Sequence, residues 1–384
     1  MYIEKCRYFN DSQTACSLMI DDLVPVAVSM DGIVNSNNDW GYLMDKAGGL
    51  YDYFNMHIIK KYPELKGTFF MPLNSMNFIP MNTGYIVTKK KVDDEDFLAF
   101  LCRISGSFEY EFHGDKHVYY SEEGNIVHEC STSTSQQVDL IVSSVAEFSE
   151  KSNIVFSGGK FPGYKYNEQA LAIIKKLNAK WWALDVSMIN KACKKNDLTF
   201  DEKLGIVLIP TNVCGDIFRC YFSPQKSSVK SFVKQIIKWV LPKYSKFDPV
   251  IYLNYLYSNQ FPIIIQEHFQ NQTTNGKRQT PNVYDDIFSL DLIYAFLKGK
   301  DVWYAKCGEI AHYFESYIHT EISIPSKNTF SVRYFGIYEA PFLSIKSSAP
   351  KIVHIASNKE IMGISKNGCW IFNKISPGTY KTIN

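Results

Sequence analysis

Two histidines four residues apart, His113 and His117, close an alternating aromatic and acidic run, Phe108-Glu109-Tyr110-Glu111-Phe112. The run reads as a strand, and Gly114 allows a turn that brings both imidazoles to one side, where they can share a metal ion. A hydrolytic centre on such a pair also needs a hard anionic ligand, an open position for water and a base beside that water. The adjacent carboxylates Asp21 and Asp22, at the end of an earlier apolar run, can supply ligand and base. Lys160, Asp185 and His268 stand at the ends of further strand-like runs and join the candidates.

The elements that must position these groups alternate, up to about residue 318, between apolar runs and amphipathic segments. Strands are expected at 15–20, 67–72, 108–112, 153–157, 180–184, 205–210 and 262–266. Helices are expected at 49–62, 92–104, 137–150, 168–177 (capped by Asn167), 227–240, 283–297 and 307–317. A long segment, 23–47, is too polar for a core. In a parallel barrel the carboxyl ends of the strands share one rim, so the convergence of candidates favours an α/β barrel over a doubly wound sheet. Beyond residue 320 the strands are short and separated by tight turns, which suits a small antiparallel β module. The expected division is therefore 1–318 and 319–384.

Composition narrows the functional classes. With 41 basic and 39 acidic residues in 384, the net charge of +2 gives no footprint for nucleic acid. Nine cysteines without a C-x-x-C pair read as free, buried thiols in a reducing compartment. Residues 1–14 lack a basic-then-apolar leader pattern, and no uncharged apolar run approaches the roughly 20 residues of a membrane helix. A cytoplasmic protein without a transmembrane segment is expected. Its oligomeric state is left open.

Read together, these motifs resemble the polysaccharide deacetylases of the NodB-homology type, carbohydrate esterase family 4, over about residues 15–318. Met19-Ile20-Asp21-Asp22-Leu23 resembles the family's Thr-Phe-Asp-Asp-Gly, and Gly67-Thr68-Phe69-Phe70 its Ala-Thr-Phe-Phe. His113-Gly114-Asp115-Lys116-His117 is similar to His-(Ser/Thr)-x-x-His, with Glu109 placed like the preceding acidic residue. Lys160-Phe161-Pro162-Gly163-Tyr164 resembles the arginine-proline-glycine turn, Asp185 a strand-end acid, and the strand ending at His268 the late histidine motif. Three positions depart from the pattern: Leu23 for glycine, Gly114 for a hydroxyl residue, and Lys160 for arginine.

The resemblance implies a distorted (β/α)7-type barrel of the NodB-homology type. It implies one divalent metal on Asp22, His113 and His117, Zn²⁺ first, with Co²⁺, Ni²⁺ or Mn²⁺ as alternatives. It makes Asp21 the base, His268 the acid that protonates the leaving amine, and Asp185 the group that orients His268. Lys160 would hold Asp21 anionic, on a looser tether than arginine's fork provides. Backbone N–H groups at Gly163 and Tyr164 would face the oxyanion. Tyr164, Pro162 and Trp40 would contact the sugar, while Trp181 and Trp182 would be buried. The remaining histidines, His57, His128, His312, His319 and His354, read as structural or exposed. The implied activity is removal of an N-acetyl group from an amino sugar, a precursor in surface-glycan biosynthesis. The alternatives are a deformylase or cyclic-amide hydrolase on the same scaffold, or a non-catalytic carbohydrate-binding relative.

Overall fold

Thr14–Asp21 is buried at every position, as expected of a strand paired on both sides and covered on both faces. The computed structural model describes residues 2–29, 39–40, 47–74, 86–121, 125–188, 196–221, 248–269 and 279–383. Within them the protein is a mixed α/β fold on a mainly parallel sheet. Its main parallel strands are β1 (Thr14–Asp21), β2 (Gly67–Met71), β3 (Phe108–Phe112), β4 (Gly158–Gly159), β5 (Trp181–Asp185), β6 (Ile206–Thr211) and β7 (Ile263–His268). They pair in the order β6-β5-β4-β3-β2-β1-β7.

Successive side chains of β1 serve opposite faces. Leu18 and Ile20 enter the larger core with Phe54, Phe69 and Phe100. Ala15 and Met19 enter a smaller one with Phe70, Trp181 and Cys307.

One residue after β6, the short strand Val213–Cys214 pairs in parallel with β7, while β6 itself pairs with β5. Residues 206–214 therefore touch both sides of the strand order. Asn212 spans the interruption. Its Oδ1 accepts from the Ile264 N–H at 3.0 Å and its Nδ2 donates to the Pro262 carbonyl at 2.7 Å. The side chain thus replaces one rung of the backbone ladder.

Several expected elements shift. The strand expected at 153–157 is displaced to Gly158–Gly159, behind a helix that runs over Ser135–Ser152. The reason is close approach to the next strand: a Cβ at Gly158 would lie 2.1 Å from the Trp181 ring, and one at Gly159 2.9 Å from Trp182. The Trp pair is buried, as the sequence suggests. The helix expected at 168–177 is shorter, Leu171–Lys176, with Asn167 Oδ1 accepting from the Ala170 N–H at 3.0 Å. Leu23, Val24 and Val26 are buried, so the segment expected to be polar begins in the core. The helix expected at 227–240 and most of 23–47 lie outside the described residues.

Past residue 319 the chain forms an antiparallel five-stranded sheet, flanked by a four-stranded one that contains Ile3–Lys5. Ile3–Lys5 pairs with Ser344–Ser347. The expected division at residue 318 thus separates Ile3–Lys5 from its sheet, because a pairing across 340 residues leaves no local pattern. Among the described cysteines, Cys6, Cys16, Cys130 and Cys307 are buried free thiols, whereas Cys102 and Cys214 are exposed. No helix among the described residues is long and apolar enough to cross a membrane.

Replacing Asn212 with Ala strands the Ile264 N–H and the Pro262 carbonyl without protein partners. The urea midpoint is expected to fall with unchanged slope, corresponding to a stability loss of at least about 1–3 kcal/mol, the cost of one unsatisfied buried polar group.

Candidate metal centre

Neighbouring residues on a regular strand point to opposite faces, yet Asp21 and Asp22 reach the same place. The chain leaves β1 through a left-handed turn at Asp22, with φ of +65°. Asp21 Oδ2 then lies 3.6 Å, and Asp22 Oδ1 3.7 Å, from His113 Nε2. Both carboxylates are buried, Asp22 completely.

His113 and His117 converge from the end of β3. His113 Nδ1 lies 3.0 Å from the Lys160 carbonyl. A carbonyl only accepts, so Nδ1 carries the hydrogen and Nε2 presents its lone pair to the aspartates. His117 Nε2 is 3.3 Å from Asp22 Oδ1. The turn between them is left-handed at Gly114 (φ +91°) and at His117 itself (φ +66°), which brings the two rings to 4.9 Å. Asp22, His113 and His117 each offer a ligand atom within 4.8 Å of the others, a group that could hold a metal ion.

The electrostatics fit a cation at this point. Neither oxygen of Asp22 has a hydrogen-bond donor among the described residues. Burial pushes the Asp22 carboxyl up, against the opposing pull of His113 and His268. Burial also pushes the imidazoles down, His113 to about 4 and His117 to about 3, so protons on these rings do not meet the buried charge near neutrality. Two neutral nitrogens and one hard oxygen, all buried, match the donor set of a divalent transition ion.

Asp21 is differently placed. Burial would raise its carboxyl, but Lys160, with His113 and His268, brings it down to about 2. Lys160 Nζ lies 2.5 Å from Asp21 Oδ2, 2.6 Å from Gln266 Oε1 and 3.3 Å from the Tyr164 hydroxyl. All three ammonium donors are used, and the side chain is fully buried. The loose tether expected of a lysine is therefore not found. A buried ammonium confined by three acceptors has no freedom to swing away.

His268 Nε2 lies 3.6 Å from Asp21 Oδ2. Its Nδ1 donates to the Pro281 carbonyl at 2.8 Å, and Gln279 Nε2 is 2.8 Å from its Nε2. Asp185, expected to orient this ring, instead accepts from the Ser187 N–H and hydroxyl. The orienting acceptor is a backbone carbonyl, which no sequence motif could announce.

The turn after β4 departs from expectation too. The Tyr164 N–H is committed to the Phe161 carbonyl at 2.9 Å, closing the turn, and does not face an oxyanion. The Tyr164 hydroxyl bonds Thr211 Oγ1 at 2.7 Å. Pro162 is buried against Gly114, where a Cβ would lie 3.0 Å from Pro162 Cγ. The Trp40 side chain lies outside the described residues. Glu109 accepts from Thr68 Oγ1 and the Gly308 N–H, so it anchors the start of the helix Cys307–His319.

Two residues beside the centre escape the motif reading. Glu129 accepts from three amides of the histidine loop, and burial pushes its carboxyl up to about 7 despite them. The His128 ring lies 6.0 Å from that of His117 and covers Gly163, where a Cβ would meet it at 2.5 Å. Both come from a polar stretch without periodicity, and neither carried a signal.

No protein-family model matches the sequence, and no curated protein matches it. Solved structures similar to it include polysaccharide deacetylases and members of carbohydrate esterase family 4. A Mycobacterium smegmatis protein described as a polysaccharide deacetylase is 13% identical with a TM-score of 0.45, over 84% of this chain and 98% of the other. A family 4 acetyl xylan esterase from Clostridium thermocellum, in complex with cobalt, is 11% identical with a TM-score of 0.35, over 77% and 90%. A family 4 pseudoenzyme from Bacillus anthracis is 14% identical with a TM-score of 0.35, over 78% and 65%. The chemistry of the centre rests on its own geometry.

Proposed function

We propose that the protein is a metal-dependent hydrolase that removes an N-acyl group, acetyl in the first instance, from an amino sugar. The observation that carries the reading is Asp22, a fully buried carboxylate without a hydrogen-bond donor among the described residues, grouped with His113 and His117. These three residues would hold a divalent ion, Zn²⁺ first. When bound, such an ion lowers the pKa of a coordinated water and polarises the acyl carbonyl.

The remaining steps belong to side chains of this chain. Asp21, kept anionic by Lys160, takes a proton from the attacking water. His268, its Nδ1 held by Pro281 and its Nε2 3.6 Å from Asp21, takes up at Nε2 the proton that Asp21 received from water and passes it to the leaving amine, so one water is divided between acid and amine and both side chains return to their starting states. Tyr164 and Pro162 form the wall beside the substrate. The pairing of residues 206–214 with both β5 and β7 supports reading the sheet as the distorted (β/α)7 barrel. In this reading residues 1–318 make the catalytic unit, less Ile3–Lys5, and 319–384 an accessory module.

Purified protein is expected to carry about one divalent ion per chain by elemental analysis, and Asp22→Asn or His117→Ala to lose it. Asp21→Asn should keep the ion while acetate release from N-acetylated sugar oligomers drops by roughly 10²–10⁴-fold, the usual worth of a general base. Undiminished turnover in Asp21→Asn would refute the assigned base.

Lys160→Met leaves Asp21 buried without its counter-charge. In metal-free protein the expected loss is about 3–5 kcal/mol of stability near pH 7. The sign with pH follows from Asp21, whose carboxyl is held at about 2, below its ordinary value of roughly 3.9. The pair's stabilisation is complete above that ordinary value and fades as pH falls towards 2. Unfolding curves of wild type and variant should therefore draw together in acid, and a gap independent of pH would show that Lys160 acts through packing alone.

A further inference from the structure

The loop between the two histidines is wrapped around a carboxylate from elsewhere in the chain. Glu129, in the turn Glu129–Ser131, is 8% exposed. Its Oε1 accepts from the Asp115 N–H at 2.7 Å and the His117 N–H at 3.1 Å, and its Oε2 from the Lys116 N–H at 2.9 Å. The Glu129 N–H in turn donates to the His117 carbonyl at 3.2 Å. A Cβ at Gly114 would lie 2.0 Å from Oε1, so the carboxylate takes the space that any other residue there would fill. Three successive amides converging on one point make an anion-binding concavity, here filled by the protein itself.

We propose that Glu129 is a positioning residue of the metal centre: its carboxylate sets the 114–117 loop so that the His117 ring meets Asp22. The inference rests on the metal reading above. On the opposite side the loop is tied by the Leu73 N–H to the Gly114 carbonyl and by Asn74 Nδ2 to Asp115. Those ties end before His117, whose left-handed backbone is unfavourable for a residue with a side chain and needs support. Glu129 bonds His117 at both its N–H and its carbonyl and thereby holds that conformation. A carboxylate suits the task, because each of its two oxygens can accept from the amides, and in its ionised form it binds them more strongly than a neutral acceptor does.

The test uses Glu129→Gln in the full chain, stripped with a chelator and titrated with Co²⁺ alone. The amide keeps the shape but turns an NH₂ group towards backbone donors. Co²⁺ affinity is expected to fall by roughly 10–100-fold, the range for residues that orient metal ligands. The visible ligand-field bands should shift, while circular dichroism and the melting profile stay close to wild type. Wild-type affinity with an unaltered Co²⁺ spectrum in the variant overturns the proposal and leaves the metal reading intact. Failure of the wild type to bind Co²⁺ overturns both. If the variant does not fold, hydrogen exchange in the wild type decides. The amides of Asp115, Lys116 and His117 should exchange slowly for a loop, and rapid exchange overturns the proposal.

Discussion

A carboxylate taken out of water must meet positive charge or lose its own. The desolvation penalty, several kcal/mol per ion, exceeds what most single contacts return. This protein carries two adjacent carboxylates into such a place. Asp21 is met by Lys160 at 2.5 Å and stays ionised. Asp22 is met by two imidazole nitrogens that burial keeps neutral. Among the described residues the polypeptide offers Asp22 neither a full positive charge nor a hydrogen-bond donor, and the arrangement around it is intelligible once a cation completes it.

The backbone ladder, more than the side chains, brings these groups together. In the parallel register His268 stands opposite Asp21, and Gly159 stands opposite Phe112, so Lys160 and His113 leave neighbouring strand ends side by side. The Lys160 N–H donates to the Phe112 carbonyl, and its own carbonyl takes the His113 Nδ1 hydrogen. One residue thus orients a metal-facing histidine through its main chain and charges the neighbouring aspartate through its side chain. Gly158 and Gly159 make this possible by letting β4 lie against the Trp181 and Trp182 rings.

What could be read in the sequence was local. The apolar runs of β1, β2 and β7, the alternating run of β3, the paired aspartates, the two histidines and Lys160 all announced themselves by type and spacing, and the structure brings them together. What could not be read depends on contacts between distant segments. Asn212 looks like any loop asparagine until it is found bridging a gap in a ladder. Pro281 acts through a carbonyl, which every residue has. Glu129 lies in a polar stretch whose partners are backbone amides and carry no residue code. Asp185 misled for the converse reason: an acid at a strand end is a frequent turn former, and here it binds Ser187.

The three departures from the family-like pattern each have a physical counterpart in this chain. Glycine is useful after an Asp pair if that position must be left-handed. Here the left-handed residue is Asp22, while Leu23 packs in the core with no exposure, so a side chain at that position is an asset. Gly114 gives up a hydroxyl, but any side chain at that position would collide with Glu129, whose carboxylate organises the loop instead. Lys160 gives up the fork of a guanidinium, yet its pocket offers one carboxylate oxygen, one amide oxygen and one hydroxyl around a single point. Three acceptors about one point suit a compact ammonium better than a planar fork. Departures that look damaging one at a time therefore each fit the residues that surround them in this chain.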